Sequence, residues 1–306
     1  MSISRKLVLS VSGNRLVKSF AMKYGMKLGA ARFVAGESLN ASLDMVHSLN
    51  RENLVVTLDH LGESVENREE ATTATNAVLE IFDAIKRERL HSNVSVKLTQ
   101  LGLALDPAFC LDNMDRIVAK AKETSNFVRI DMEDTPFLEQ TMNIFLTLLE
   151  RYGKEHVGLV IQSYLYRSIE DVEALGKKGV NLRIVKGAYK EPPEVAYPQK
   201  KDVDENYLRL VQTHLQNGCY TGIATHDEKI IEELKIWLAQ EKISQDLFEF
   251  QMLYGVRNGL QRNLVKEGYR VRVYTPFGTD WYPYFTRRIA ERPANALFIL
   301  KNMFRD

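Results

Sequence analysis

Two adjacent arginines near the end of the sequence could bind a carboxylate or a phosphate. Arg287 and Arg288 lie in the stretch WYPYFTRRIAERPANALF, residues 281 to 298. Two guanidinium groups presented together can hold an oxyanion through paired hydrogen bonds. In a helix, Tyr284 and Glu291 fall within one turn of the arginines, and the carboxylate can hold an arginine in its rotamer. The alternative is a solvated helix face with an ordinary salt bridge.

Polar side chains also recur near the ends of short apolar segments. They are Lys97, Asp131, Glu133, Gln162, Arg183, Lys186, Thr225, His226, Asp227 and Tyr274. Burying such groups is costly unless they are paired or bind a ligand, so their recurrence indicates a ligand. Simpler explanations exist for single residues: Lys97 and Asp131 could form a structural ion pair, His226 could be an ordinary buried histidine, and Gly187 could merely end a strand.

Eight short β-rich segments carry these residues. They begin at Leu54, Asn93, Phe127, Val157, Asn181, Thr221, Phe248 and Arg270. Segments with apolar residues at helical spacing separate them, for example TPFLEQTMNIFLTLLERYG and DEKIIEELKIWLAQE. This alternation predicts a (β/α)8 barrel of the TIM type, whose active site forms at the carboxyl ends of the strands. An open doubly wound sheet fits less well, because no GxGxxG motif follows any of the eight segments.

The sequence has no obvious internal boundary. We therefore expect one catalytic domain over residues 1 to 306, with a helical segment at 1 to 50 and the barrel and a final helix at 51 to 306. Asp280 is a suitable N-cap and Pro283 suits a first helical turn, which predicts a final helix over residues 281 to 300. This helix should lie over the active site.

Composition narrows the class of protein. The net charge of +1 gives no electrostatic case for nucleic-acid binding. Cys110 and Cys219 are far apart and form no CxxC, so we expect neither a disulfide framework nor a metal site. No apolar run reaches the length of a membrane span, which predicts a cytoplasmic protein.

The start of the sequence is basic. No acidic residue precedes Glu37, whereas seven lysines and arginines do. A basic amphipathic helix could rest on the inner face of an anionic membrane. It could also be a solvated helix that packs on the main domain, or a cleaved organellar presequence.

The ordered motifs resemble those of the proline dehydrogenase family. In family order they read SVKLTQLGL, RIDMED, VIQSYL, LRIVKGAY, IATHD, FEFQMLYGV, RVRVYTPFG and WYPYFTRRIAERPAN, between about Gly36 and Asn302. Members of this family are flavoenzymes that oxidise L-proline to Δ1-pyrroline-5-carboxylate. The length resembles that of the short monofunctional bacterial type.

The resemblance implies roles for the residues at the matching positions. Arg287 and Arg288 would clamp the proline carboxylate, with Lys97 completing the cationic pocket. Asp131 would orient this cationic cluster, and Tyr284 would close over the substrate ring. Tyr274 and Leu253 match positions that line the same pocket.

The resemblance also implies a noncovalent FAD. The matching cofactor positions are Met132, Gln162, Arg183, Lys186, Gly187, Ala188, Thr225 and His226, with Glu291 near both ligands. Arg183 would stabilise negative charge on the reduced flavin, and hydride would pass from proline C5 to flavin N5. No residue is an obvious base for the proline nitrogen, which leaves that proton to solvent.

The implied partners are a membrane quinone as electron acceptor and a separate pyrroline-5-carboxylate dehydrogenase, on the way from proline to glutamate. Without the resemblance, strand-end lysines such as Lys97 or Lys186 would suit a Schiff-base lyase. A carboxylate-binding module without catalysis is a third alternative.

Overall fold

Eight parallel strands form a closed barrel in chain order in the computed structural model. The structure describes residues 29 to 62 and 64 to 291, with side chains as far as Arg288. The strands are β1 Val55–His60, β2 Ser92–Val96, β3 Val128–Ile130, β4 Val157–Gln162, β5 Leu182–Val185, β6 Thr221–Ala224, β7 Phe248–Leu253 and β8 Val271–Phe277. Strand β8 pairs with β1 from Val55↔Arg272 to His60↔Phe277, so the barrel prediction is confirmed and the open sheet is wrong.

Helices alternate with the strands around the barrel. They are α1 Leu39–Arg51, α2 Arg68–Glu88, α3 Pro107–Glu123, α4 Thr135–Tyr152, α5 Ser168–Gly176, α6 Lys200–Gln216, α7 Glu228–Gln240, α8 Asn258–Lys266 and α9 Trp281–Glu291. Helix α1 precedes the first strand and α9 follows the last. The prediction that the final helix continues to residue 300 lies partly outside the described residues.

Local chemistry sets the ends of several elements. The Asp106 carboxylate accepts hydrogen bonds from the backbone N–H groups of Ala108 and Phe109, and Pro107 occupies the first turn of α3. The second β-rich segment is a strand only as far as Val96, and a 3-10 helix, Leu98–Leu101, follows it. Lys97 therefore lies at the junction between strand and 3-10 helix, at the mouth of the barrel.

The apolar core lies between the barrel and its helices. Val56, Leu58 and Ile130 are fully buried on the outer side of the strands, where they pack in one cluster with helix residues such as Phe82 and Phe145. Each fully buried side chain of this kind contributes about 1.5 to 3 kcal/mol. The helices thus cover the apolar faces of the strands, and the barrel interior is left for other residues.

Much of the barrel interior is polar. Near its amino end, Arg272 donates to both carboxylate oxygens of Glu249, at 2.5 and 3.1 Å, and to the Val56 carbonyl at 2.7 Å. Arg129 donates to the carbonyl oxygen of Asn181 at 2.6 Å, and burial lowers the pKa of its guanidinium to about 9. A Cβ at Gly158 would lie 2.4 Å from Arg129 Nη1, so glycine makes room for this cation.

An aromatic cluster fixes helix α9 to the barrel. Trp281 is fully buried and packs in one cluster with Phe33, Val34 and Phe285. Its indole N–H donates to the carboxylate of Glu37 at 2.9 Å. The segment before α1 therefore holds the helix that carries the arginine pair.

The prediction of membrane contact by the basic start of the chain lies almost wholly outside the described residues. Of the seven basic residues before Glu37, only Arg32 is described. Within the described ranges, no helix is both long enough and apolar enough to cross a bilayer.

A buried histidine should make the fold sensitive to acid. His214 on α6 is fully buried, its Nδ1 lies 2.8 Å from Thr221 Oγ1, and burial lowers its pKa from 6.5 to about 4. As pH falls through this window the unfolded chain gains a proton that the folded chain resists. We expect His214 to contribute up to about 3 kcal/mol of lost stability there.

Urea unfolding of wild type and His214→Gln across this pH range measures the contribution. The variant should lose less stability with acidification than wild type. His91→Gln, at an exposed histidine, is the control and should follow wild type. Equal pH dependence in wild type and His214→Gln would contradict the assignment.

Candidate active site

A cavity of about 740 Å³ opens at the carboxyl ends of the barrel strands and beneath helix α9. Sixteen of the residues singled out from the sequence line it: Lys97, Asp131, Met132, Gln162, Arg183, Lys186, Gly187, Ala188, Thr225, His226, Asp227, Leu253, Tyr274, Tyr284, Arg287 and Arg288. Glu291 ends helix α9, and its side chain lies outside the described part of the chain. The barrel therefore brings residues from distant motifs to one site.

A buried charge cluster forms one wall of this cavity. It consists of Asp59, Lys97, Asp131, Arg183 and Tyr274. The Lys97 ammonium lies 3.1 Å from Asp59 Oδ1 and 3.5 Å from Asp131 Oδ2. The ion pair that the sequence left open as a structural explanation is thus present, and both of its side chains also line the cavity.

Asp131 is held by four side chains. Tyr274 Oη donates to Asp131 Oδ2 at 2.6 Å, while Ser95 Oγ at 2.8 Å and Arg183 Nη1 at 3.3 Å donate to Oδ1. Burial acts to raise the pKa of Asp131, but Lys97, Arg183 and these hydrogen bonds outweigh it and hold the pKa below its usual value. Asp131 is therefore a fixed negative charge.

Asp59 is a cavity residue that the sequence reasoning missed. It lies near the end of β1, and only 1% of its surface is exposed. Burial raises the pKa of its carboxyl group, the neighbouring Asp131 adds to this, and Lys97 only partly opposes it. The segment LVVTLDH could have indicated it, because Asp59, like Asp131, is a carboxylate at the end of a predicted barrel strand.

His226 and Thr225 have structural contacts as well as cavity positions. His226 Nε2 accepts the backbone N–H of Leu253 at 2.9 Å and so joins the ends of β6 and β7. Thr225 Oγ1 accepts the N–H of Asp227 at 3.1 Å, and Asp227 in turn caps helix α7. His226 is thus satisfied by the backbone while it lines the cavity.

The two lysines that suited a Schiff base are held as ion pairs. Lys186 Nζ lies 2.6 Å from Asp204 and 3.1 Å from Asp227. Lys97 lies between Asp59 and Asp131 in the same way. A lysine nucleophile must be free to attack a carbonyl carbon, and each of these lysines contacts two carboxylates. The geometry gives the lyase alternative little support.

Two buried polar atoms at the cavity lack a partner within residues 29–62 and 64–291. Gln162 donates through its amide nitrogen to the carbonyls of Met132 and Glu133, which leaves its Oε1 without a donor. The Nε of Arg183 is likewise without an acceptor. Buried polar groups are normally hydrogen-bonded, so these two atoms indicate a polar ligand.

Gly187 allows the loop after β5 to lie close to the β4 loop. Its φ is 110°, and a Cβ there would lie 2.0 Å from the ring of Tyr164. No other residue type fits this backbone without moving the ring. Gly187 therefore does more than end a strand, because the shape of the cavity wall requires glycine at this position.

Helix α9 presents the arginine pair to the cavity. Arg287 and Arg288 are both half-buried, and the Arg288 guanidinium lies 5.1 Å from the centre of the Tyr284 ring. The described residues include no group of His, Cys, Asp and Glu side chains arranged for a metal ion. The site is thus a cavity with charged residues in its wall and an arginine pair and an aromatic ring at one side.

Comparisons with known proteins agree with this geometry. The family described as "Proline dehydrogenase" matches residues 42 to 301. The chain is 46% identical to "Proline dehydrogenase" of Deinococcus radiodurans over 98% of both chains. It is 43% identical to "Proline dehydrogenase 2" of Bacillus subtilis strain 168, over 98% of this chain and 99% of that protein.

A solved structure has the same fold. It is proline utilization A (PutA) from Bdellovibrio bacteriovorus inactivated by N-propargylglycine, with a TM-score of 0.81 and 26% identity over 87% of this chain. The match spans 32% of that longer chain, about a third of its length. The similarity therefore concerns one part of the PutA protein.

Two glycines allow a test of the cavity wall. Gly187→Ala should destabilise the protein by at least about 2 kcal/mol, because the backbone is strained for alanine and Tyr164 must also move. Gly218→Ala is the matched control, since Gly218 also has a positive φ, 71°, but nothing lies within 4 Å of its Cβ position. It should cost only about 1 kcal/mol. Equal losses in chemical denaturation would show that the contact with Tyr164 is unimportant.

Proposed function

Because the chain belongs to the proline dehydrogenase family, we propose that it oxidises L-proline to Δ1-pyrroline-5-carboxylate with a noncovalently bound FAD. The protein is an oxidoreductase of proline catabolism by its family membership. The flavin, the hydride route and the electron acceptor are the proposed parts. These proposed parts are supported by one observation: a single cavity contains both an arginine pair and buried polar atoms without hydrogen-bond partners.

The arginine pair suits the carboxylate of proline. Arg287 and Arg288 both line the cavity, and two guanidiniums can hold one carboxylate through charge-assisted hydrogen bonds. Lys97 completes the cationic pocket, and Asp131 keeps Lys97 and Arg183 in place. The Tyr284 ring covers the substrate ring, with Tyr274 and Leu253 as further pocket walls. These residues fix the substrate in one orientation.

The unsatisfied polar atoms suit a flavin ring, which carries both hydrogen-bond donors and acceptors. Gln162 Oε1 can accept from a ring N–H, and Arg183 Nε can donate to a ring oxygen or nitrogen. Nine positions would hold the cofactor: Met132, Gln162, Arg183, Lys186, Gly187, Ala188, Thr225, His226 and Glu291. When bound, the flavin supplies at N5 the acceptor for the hydride that leaves C5 of proline.

Arg183 has a second role in this proposal. Its guanidinium lies 4.8 Å from the centre of the Tyr274 ring and 3.3 Å from Asp131. A cation fixed in this way can stabilise negative charge without reorganising during the reaction. Hydride transfer needs mainly that two partners are held in register, which a rigid barrel provides.

The electrons then pass to a membrane quinone, and a separate pyrroline-5-carboxylate dehydrogenase takes the product. The absence of a GxGxxG motif after the eight β-rich segments supports an acceptor other than a nicotinamide. The enzyme works in the cytoplasm, where the basic segment before Glu37 would attract it to the inner face of the membrane. Each lysine or arginine would contribute about 1 kcal/mol at most.

An anaerobic absorbance spectrum tests the function. The purified protein should be yellow, release FAD on denaturation and lose its flavin absorbance on addition of L-proline. A colourless protein that borohydride traps with a carbonyl substrate would indicate the lyase instead. Binding of proline without flavin reduction would indicate a binding module.

Removal of one guanidinium tests the carboxylate clamp. Arg287→Met and Arg288→Met should each weaken proline binding roughly ten- to a hundredfold, because a charge-assisted hydrogen bond contributes about 1.5 to 3 kcal/mol. The measurement is the proline concentration that half-saturates flavin reduction. Arg262→Met, at an exposed arginine paired with Glu52, is the control and should leave it unchanged. Normal saturation in both test variants would exclude the clamp.

A further inference from the structure

Oxidation of a ring amine requires that its nitrogen lose a proton, and no residue has yet been assigned to accept this proton. An amino acid in water carries its nitrogen as an ammonium at neutral pH. Hydride can leave C5 only when nitrogen has a lone pair to form the new double bond. One N–H proton must therefore be lost, and a protein group that lines the cavity can receive it. The following inference rests on the proposed function.

Asp59 is placed to receive a proton. Its carboxylate lines the cavity although only 1% of the residue surface is exposed. Both oxygens lie close to one cation, with Lys97 Nζ at 3.1 Å from Oδ1 and 3.2 Å from Oδ2. The charged groups that face it are Lys97, Asp131 and Tyr274, with His60 beside it on the strand.

The other carboxylates of the cavity wall take part in ion pairs, hydrogen bonds or a helix cap. Asp131 accepts from Ser95, Tyr274 and Arg183 and faces Lys97, which stabilises its charged form. Asp227 contacts Lys186 at 3.1 Å and caps α7. Glu228 lies 2.6 Å from Arg257. Asp131 and Asp227 each have several partners that stabilise the charged form, and Glu228 lies at an exposed position.

Two further groups that could accept a proton, the imidazole of His226 and the phenol of Tyr274, already take part in other hydrogen bonds. The Nε2 lone pair of His226 accepts the backbone N–H of Leu253. Tyr274 is a neutral phenol that donates to Asp131 at 2.6 Å, and burial followed by the charges of Asp131 and Asp59 raises its pKa well above the usual value. Asp59 shares its cation, Lys97, with Asp131, so Lys97 keeps a carboxylate partner when Asp59 is protonated.

We propose that the Asp59 carboxylate is the base that takes the ring-nitrogen proton of the bound amino acid. One N–H bond of the ammonium breaks, and an O–H bond forms on Asp59. The lone pair left on nitrogen forms the C5=N bond as the C5–H bond breaks and its hydrogen leaves as hydride to the flavin. The product is the iminium, and Asp59 later returns its proton to solvent.

The environment of Asp59 agrees with this role. Burial raises the pKa of its carboxyl group, which favours the protonated form that results when Asp59 accepts a proton. Since the base must start deprotonated, flavin reduction should slow as pH falls through this raised pKa. Lys97, in contact with both carboxylates, holds the pair in place when the charge of Asp59 changes.

Stopped-flow reduction of the holoenzyme by saturating proline, measured against pH, tests the assignment. Asp59→Asn should reduce its flavin about 10²- to 10⁴-fold more slowly near neutral pH. The acid limb of wild type should be replaced by a rate that rises with pH only as proline itself loses its nitrogen proton. Calorimetric binding of cyclopentanecarboxylate, which has the carboxylate but no nitrogen, should change less than threefold. Glu249→Gln removes a buried barrel carboxylate outside the cavity wall and should retain the acid limb.

A second variant serves if Asp59→Asn does not fold. Asp59→Ala leaves space for a small carboxylic acid, and added formate should restore part of its reduction rate. Wild-type rate and an unchanged acid limb in Asp59→Asn, or no restoration by formate in Asp59→Ala, would overturn the assignment alone. If proline does not reduce the flavin of the wild-type protein, the proposed function is overturned as well.

Discussion

The ammonium of Lys97, held between the carboxylates of Asp59 and Asp131, is the interaction on which the site depends. Asp59 lies near the end of β1, and Lys97 and Asp131 directly follow β2 and β3; all three are buried or nearly so. A buried carboxylate without a cation is costly enough to become protonated or to disrupt the barrel. The ion pairs form only when β1, β2 and β3 lie side by side in register, so the pairing of these strands assembles this part of the site.

The two carboxylates that share this cation have opposite environments. Asp131 receives hydrogen bonds from several side chains, which lower its pKa, whereas Asp59 has its pKa raised by burial and by Asp131 itself. Two identical side chains a few ångströms apart can thus serve different purposes, one as a permanent charge and one as a group that titrates. Separation of this kind is how active sites assign acid and base roles.

The barrel interior has two polar regions that differ in how completely they are satisfied. Near the amino end, Arg272 and Glu249 satisfy each other and Arg129 is bound by backbone carbonyls. Near the carboxyl end, Gln162 Oε1 and Arg183 Nε have no partner in the described residues. The first region contributes to a rigid barrel, and the second retains polar atoms that a ligand can satisfy.

The sequence by itself predicted the eight strands, their order and the polar cavity residues at the strand ends, because strand periodicity and polar residues at strand ends are local features. Cavity positions such as Met132, Ala188 and Leu253 came from the family resemblance. It missed Asp59, although this carboxylate lies near the end of β1. Only the tertiary structure decided which charges pair. Lys97 contacts both Asp59 and Asp131, and Gly187 must remain glycine because Tyr164, distant in sequence, fills the space beside it. Such contacts depend on distances across the barrel, which spacing along the chain does not fix.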